Sequence, residues 1–126
     1  MIYNTIKANE NLKNEMNNLL SQMGNYIELS EWYSDTANST YTVSLGDITK
    51  YKYILMTAKY GNYIRCSHLI PTIFLANICR YYYFSYTNGS TVSSMGELTF
   101  SGTLQDMSVT YTALQPYAPI MITGIY

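Results

Sequence analysis

The sequence feature that most constrains the fold is a series of short segments, from residue 26 onward, in which apolar and polar residues alternate. In residues 41–45, for example, tyrosine, valine and leucine are separated by hydroxyl residues. Because successive side chains of a strand point to opposite faces of a sheet, this period of two is typical of a half-buried strand. About eight β-prone segments follow, with no helical segment between them. They cover residues 41–45, 51–58, 63–66, 80–87, 91–93, 97–101, 107–112 and 120–125.

Turn residues separate these segments. The dipeptides at 61–62 (GN) and 88–89 (NG) are two-residue turn signals that predict hairpins. Pro71 interrupts an apolar stretch, and because proline cannot donate to a strand ladder we expect a bend or a sheet edge near Ile70. Short strands joined by turns favour an antiparallel β-sandwich or jelly roll over an α/β fold. The predicted fold class is therefore all-β.

One segment, residues 5–23, has the composition of a helix, and Gly24 supplies a C-terminal stop. Its apolar residues are spaced four, three and four apart, which is the rhythm of a coiled-coil seam. We therefore divide the chain into an N-terminal helix (1–25) and a head domain (26–126). Alternatively the helix packs on its own domain, since Leu20 widens the apolar stripe enough to permit it. The residues predicted to mediate oligomerisation are Leu12, Met16, Leu19 and Met23.

The charge content is low. Charged residues make up 12% of the chain and the net charge is -1, so no global field would attract nucleic acid or an anionic membrane. Apolar runs stay well short of the ~20 residues of a membrane span, and the N-terminal residues lack the form of a signal peptide. We expect a soluble protein with neither a nucleic-acid partner nor a membrane insertion.

Catalytic groups are scarce. His68 is the only histidine and lies beside an apolar run, a position more typical of a structural histidine than of a base. Two carboxylate pairs could serve a glycosidase, Glu28 with Glu31 or Glu97 with Asp106. Solvated acids are nevertheless the usual case at the end of a helix, where the first pair lies. No nucleophile elbow or phosphate-binding glycine loop occurs, so the sequence predicts no enzymatic activity and no cofactor.

The two cysteines, Cys66 and Cys79, stand in apolar stretches, where a buried free thiol is the usual outcome. Their even count leaves a disulfide open as the less favoured alternative. Together with His68 they lack the spacing and the fourth ligand of a zinc site. The sequence therefore predicts no metal centre.

The 15 tyrosines are the most suggestive feature for function. A tyrosine combines a flat apolar face with a hydroxyl and few rotors, so it binds a partner at low entropic cost, and sugar rings stack on such faces. Residues 30–40 are rich in Ser, Asp, Thr and Asn, which predicts an exposed loop. At least half of the tyrosines must be core or subunit contacts, since strand neighbours alternate. The predicted ligand-binding residues are Trp32, Tyr33, Tyr60 and Tyr63.

The last seven residues, 120–126 (IMITGIY), together with a short N-terminal helix and a compact β domain, resemble the C-terminal head modules of bacteriophage tail and baseplate proteins. Residues 53–57 (YILMT) followed by 70–75 (IPTIFL) are similar to small structural proteins from phages and prophages of gut Firmicutes. The likeness covers residues 40–126 as a pattern. It implies a virion tail protein, a homotrimer whose helices form a stem and whose heads bind a host-surface glycan or another protein of the tail.

A second function, from another class, is open from the same residues. A bacterial carbohydrate-binding or adhesion domain without catalytic activity would need the same tyrosine-rich surface. Such a domain would act as a monomer, so the oligomeric state separates the two functions.

Overall fold

The computed structural model describes residues 7–12, 14 and 25–126, of which 7–12 and 14 are helical. The remainder forms eight strands and one short 3-10 helix, Thr72–Leu75. This confirms the predicted fold class, an all-β sandwich preceded by a short helix. The strands are β1 (Tyr26–Trp32), β2 (Ser39–Gly46), β3 (Tyr53–Tyr60), β4 (Tyr63–Pro71), β5 (Tyr81–Asn88), β6 (Thr91–Thr103), β7 (Asp106–Ala113) and β8 (Ile120–Ile125).

All strand pairs are antiparallel and form two four-stranded sheets. The first sheet has the order β1-β8-β3-β4 and the second has the order β2-β7-β6-β5. Hairpins join β3 to β4, β5 to β6 and β6 to β7, whereas the other connections cross from one sheet to the other. The first and last strands therefore lie side by side, and most of the pairing in the first sheet joins residues distant in sequence.

The core lies between the inner faces of the two sheets. Ile54 and Met56 of β3 belong to the same buried cluster as Phe84 of β5 and Tyr111 of β7. Alternate residues of each strand point into this core, which explains why apolar and polar residues alternate along the strands in the sequence.

The outer face of the second sheet is covered by hydroxyl residues. Thr42, Thr110 and Thr99 occupy one row across β2, β7 and β6, and the Thr42 and Thr110 Oγ1 atoms are 2.9 Å apart. Ser44 and Ser108 form the next such row. These side chains can bond to water, so this face is suited to solvent.

Part of the outer face of the first sheet is apolar instead. Its rows pair Tyr53 with Ile125, Leu55 with Leu69, and Met121 with a threonine of β3. Leu69 is 56% exposed and Tyr53 is 39% exposed, whereas the other three apolar residues are half-buried. These five residues (Tyr53, Leu55, Leu69, Met121 and Ile125) are named the apolar outer face. Polar side chains interrupt it, since Glu28 pairs with Thr123 and Glu31 with Met121 on the same side of the sheet.

The predicted hairpin turns are confirmed, with Gly61 and Gly89 both at φ 64°. β4 is an edge strand that ends at Pro71, as expected from the proline. Three details of the fold were wrong. β1 was not among the predicted strands, and its last residues were assigned to an exposed loop. β6 is one 13-residue strand rather than two short ones. Trp32 is the last residue of β1 and packs against the core, so it does not lie in an exposed loop.

The N-terminal segment is described only in part. Leu12 is helical and 56% exposed, whereas Met16, Leu19 and Met23 lie outside the described residues, so the coiled-coil seam stays a prediction. In the part of the chain that the structure describes, helices long and apolar enough to cross a lipid bilayer are absent.

Two buried tyrosines differ in how their hydroxyls are satisfied. Burial raises the pKa of both Tyr82 and Tyr111 to about 12. The Tyr82 hydroxyl donates to the carbonyl of Cys79 at 3.1 Å. The Tyr111 hydroxyl makes no hydrogen bond of ordinary geometry within residues 7–12, 14 and 25–126, although the Ser30 side chain is near enough to oppose part of the pKa rise.

This difference predicts opposite effects of removing the two hydroxyls. Tyr111→Phe should leave the free energy of unfolding unchanged or raise it by about 1 kcal/mol, because an unpaired buried hydroxyl is costly. Tyr82→Phe, the matched control, should lower it by about 1 kcal/mol because a formed hydrogen bond is lost. Urea unfolding followed by intrinsic fluorescence measures both. A clear loss of stability in Tyr111→Phe would mean that its hydroxyl is hydrogen-bonded in solution.

Candidate functional site

One end of the sandwich gathers four connections between strands. They are loop 33–38 between β1 and β2, the turn at Gly61, the turn at Gly89, and loop 114–119 between β7 and β8. The first sheet brings the end of β1, the start of β8 and the end of β3 into one row. Because loops joining different sheets converge here, this end, named the cleft end, can hold side chains from distant parts of the sequence in one site.

A cavity of about 570 Å³ opens at the cleft end, lined by Tyr33, Tyr60, Gly61, Tyr117 and Pro119. The rings of Tyr33 and Tyr117 are 54% and 62% exposed, so they reach solvent rather than the core. The lining thus presents three aromatic rings and their hydroxyls to a ligand, without a charged group. We name this cavity the tyrosine cleft.

The rings of the tyrosine cleft are held by aromatic neighbours. The Tyr33 and Tyr117 ring centroids are 6.4 Å apart with the planes tilted by 42°. On the other side, Tyr60 stacks on Tyr86 of β5 with centroids 5.8 Å apart and an interplanar angle of 22°. Such pairs restrict the rings before a ligand arrives, which lowers the entropic cost of binding.

Loop 114–119 is tied to three other elements by backbone hydrogen bonds. Two N–H groups at its start donate to the carbonyl of Met95 on β6, at 3.1 and 3.2 Å. The Tyr117 N–H donates to the carbonyl of Ser34 at 2.8 Å, and the Lys59 N–H of β3 donates to the carbonyl of Pro119 at 2.9 Å. The loop therefore fixes the position of Tyr117 relative to Tyr33 and Tyr60.

Tyr117 has a strained backbone. Its φ is 59°, in the left-handed region that glycine adopts freely and bulky residues avoid. Its ring is largely exposed, so burial of the side chain does not offset this strain. Strained residues that the surrounding structure holds in place cluster at functional sites. Among the residues that line the cleft, Tyr117 is thus the one whose backbone strain is not offset by packing of its side chain in the core.

The structure brings two of the four predicted ligand-binding residues together, Tyr33 and Tyr60. Tyr63 lies across the hairpin turn from Tyr60 and is 66% exposed, but it does not line the cleft. Trp32 turns inward because it shares its row with Ile120 on the inner face. Its ring stacks on Tyr41 at 5.6 Å and tilts against Tyr111 at 5.9 Å.

Sequence reasoning missed Tyr117. The signal was present, since prolines stand directly before it and two residues after it, at 116 and 119. Proline restricts its own backbone and that of the preceding residue, so residues 115, 116, 118 and 119 have few conformations and Tyr117 is the position left to form the turn. What the sequence could not supply is the pairing of this loop with residues 33–34.

His68 and the cysteines have structural surroundings. The His68 ring lies between Tyr82 and Phe84, with centroids 5.5 and 5.1 Å away, and its Nε2 is 3.9 Å from the Cys66 Sγ. Both cysteines are free thiols, and Cys79 is exposed rather than buried as expected. Among the described residues no three His, Cys, Asp or Glu side chains are grouped as metal ligands would be.

The candidate carboxylate pairs lie outside the tyrosine cleft. Desolvation, and then a hydrogen bond and repulsion from Glu28, raise the pKa of Glu31, while Lys59 opposes the rise. Both acids belong to β1 and pair with residues of the solvent-facing side of β8. Glu97 and Asp106 do not form a pair, because they occupy opposite ends of the β6–β7 hairpin.

Comparisons of the chain with protein-family models, with curated proteins and with solved structures found no match.

The strain at Tyr117 predicts an unusual substitution. Tyr117→Gly should raise the free energy of unfolding by about 1 kcal/mol, because glycine adopts the left-handed region at no steric cost. Tyr117→Ala removes the same ring but keeps a Cβ, so it should bring no such gain and is the matched control. Thermal and urea unfolding of both variants measure the difference. A glycine variant no more stable than the alanine variant would contradict the strain.

Proposed function

We propose that this protein is a structural protein of a phage virion tail, in which a homotrimeric β-sandwich head binds a host cell-surface glycan. The observation that carries the glycan-binding part is the tyrosine cleft, in which Tyr33, Tyr60 and Tyr117 surround one cavity. The C–H faces of a sugar pack on aromatic rings, and its hydroxyls bond to tyrosine hydroxyls and exposed backbone groups.

The size of the cleft supports a ligand of a few sugar units. Its volume of about 570 Å³ falls within the roughly 300–1,000 Å³ common for small-molecule sites. The site is open at the surface, with Tyr33 and Tyr117 both more than half exposed. An open site of this kind suits a chain end or a branch of a polysaccharide, since the remainder of the polymer can leave the cleft.

The position of the cleft supports a head carried on a stem. β1 runs from Tyr26 to Trp32, and only its end reaches the cleft. Its start lies at the opposite end of the sandwich, where the Tyr126 N–H donates to the carbonyl of Asn25 at 3.0 Å. The N-terminal segment therefore joins the head about 20 Å from the cleft, given ~3.3 Å per strand residue. A stem formed by that segment would point the cleft away from itself.

The apolar outer face supports association between copies. It places Leu69 and Tyr53 on a surface open to solvent, with the half-buried Leu55 beside Leu69, while the second sheet exposes threonine and serine. A second copy that covers the first surface would remove apolar area from water, at roughly 25 cal/mol per Å². In this proposal both the contact between apolar outer faces and the N-terminal coiled-coil seam stabilise the trimer.

The alternative is a bacterial carbohydrate-binding or adhesion domain without catalytic activity. It is favoured by one observation, that Tyr33, Tyr60 and Tyr117 of one chain already surround the cavity. A monomer could therefore bind the same sugar, and the oligomeric state decides between the two proposals.

For glycan binding, we expect a glycan array to identify a ligand and calorimetry to show that Tyr33→Ala and Tyr117→Ala each weaken it about tenfold, since each removes one stacking face. Tyr81→Ala is the matched control, because Tyr81 is 55% exposed on the second sheet, away from the cleft. An array without any bound glycan would contradict the proposal, and an equal loss in Tyr81→Ala would show that the effect is not specific to the cleft.

For assembly, Leu69→Glu should convert a trimer into a monomer, because a carboxylate would be buried without a partner in the contact. Thr99→Glu places the same charge on the exposed outer face of the second sheet and should leave the trimer intact. Sedimentation analysis over a range of concentrations gives the mass. Met16→Asp combined with Leu19→Asp tests the seam separately. Wild-type protein that is monomeric at every concentration would favour the adhesion alternative.

A further inference from the structure

Arg65 occupies an unusual position at the cleft end. It lies on β4 next to an irregularity in the pairing of β3 with β4, and its side chain is exposed. Its guanidinium carbon is 5.0 Å from the centroid of the Tyr63 ring and 5.2 Å from that of the Tyr86 ring. Two aromatic rings therefore hold the guanidinium by cation–π contact, which restricts a side chain that is otherwise mobile.

The rings that hold Arg65 continue into the tyrosine cleft. Tyr86, which contacts the guanidinium, also stacks on Tyr60, and Tyr60 lines the cavity. The ring of Tyr86 therefore lies between the Arg65 guanidinium and Tyr60 in the sequence of contacts that leads to the cleft. A ligand of two or more sugar units that stacks on Tyr60 can extend to the guanidinium.

The acids near the cleft end face other groups. Desolvation and the neighbouring Glu28 raise the pKa of Glu31, and the Asp35 carboxylate accepts a hydrogen bond from the Thr36 hydroxyl at 3.2 Å. The contacts that the structure gives Arg65 are with aromatic rings, which leave the edge of a guanidinium, and its N–H donors, available to an anion.

The second arginine of the head shows the contrast. Arg80 donates to two backbone carbonyls, those of Ala76 and of Gly102, the latter at 2.9 Å. Arg80 thus ties together two chain segments and has a structural role. Arg65 makes no comparable contribution to the fold, although it is one of only seven basic residues in the chain.

We propose that the ligand of the tyrosine cleft carries an anionic group, a carboxylate or a phosphate, and that Arg65 binds this group. The inference rests on the proposed glycan binding and names the class of glycan. The planar guanidinium offers two parallel N–H donors that match the oxygens of either anion. Because the net charge of the chain is only -1, attraction of the anion would come from this one side chain rather than from a general field.

The test uses the full chain on an array that presents neutral, carboxylate-bearing and phosphate-bearing glycans. We expect the bound glycans to be anionic, and removal of the anion by sialidase or phosphatase to weaken binding about fivefold, as for one well-placed exposed ion pair. Which enzyme has this effect tells the carboxylate from the phosphate. The increase in affinity that the anion provides should also be smaller at high ionic strength, because salt screens the charge of Arg65.

Variants of the basic residues complete the test. Arg65→Gln should remove the preference for the anionic glycan while leaving binding of its neutral counterpart unchanged. Arg65→Lys keeps the positive charge but loses the two parallel N–H donors of the guanidinium, so it should retain only part of the preference for the anionic glycan. Lys52→Gln is the matched control, because Lys52 is exposed and its N–H donates to Ile125 at the opposite end of the first sheet; it should behave as wild type.

The outcomes separate this inference from the function on which it rests. Binding of neutral glycans alone, or an unchanged preference in Arg65→Gln, would overturn the role of Arg65 and leave glycan binding intact. An array on which no glycan binds would overturn both.

Discussion

The close contact between the two sheets at Gly96 and Ile120 is the constraint on which the rest of the structure depends. A Cβ at Gly96 would lie 2.8 Å from the Thr112 carbonyl oxygen of β7 and 2.6 Å from the Ile120 Cδ1. The backbone of β7 therefore leaves room only for glycine at this position, and the absent side chain lets Ile120 of β8 pack directly against β6. Ile120 is also the residue at which loop 114–119 enters β8. The same contact that closes the core therefore sets the depth at which Tyr117 and Pro119 reach the cleft.

The strand pattern and the hairpins could be predicted from sequence because they depend on local properties, namely the period of two and the turn dipeptides. The assignment of strands to sheets could not, since alternation reveals which side of a strand is buried but not which strand lies beside it. β1 pairs with β8, a contact between the two ends of the head domain. Tyr33 was predicted from the polar composition of residues 30–40 and Tyr60 from the dense tyrosines beside the turn at Gly61, both local signals, whereas the inward turn of Trp32 follows only from its register with Ile120.

The two outer faces show that one alternating pattern can serve two environments. In β7 the outward positions are Ser108, Thr110 and Thr112, whose hydroxyls can bond to water; that of Thr110 also contacts Thr42 of β2. In β8 the outward positions include Met121 and Ile125, with Thr123 only 9% exposed between its neighbours. The inward residues of both strands pack into the same core. The difference on the outside is therefore not required by the core, and the proposed association of copies through the first sheet would account for it.

The cleft end is chemically separate from both outer faces, and this separation has a consequence for how the protein can vary. Tyr33, Gly61 and Tyr117 belong to connections that are fixed by backbone hydrogen bonds, such as that from the Tyr117 N–H to Ser34. Because backbone groups make these bonds, the loop geometry does not depend on the tyrosine rings. Gly96 differs, since the Thr112 carbonyl leaves no room there for a Cβ. The strand framework and the lining of the cleft are therefore set by different interactions, and substitution of the rings leaves the framework in place.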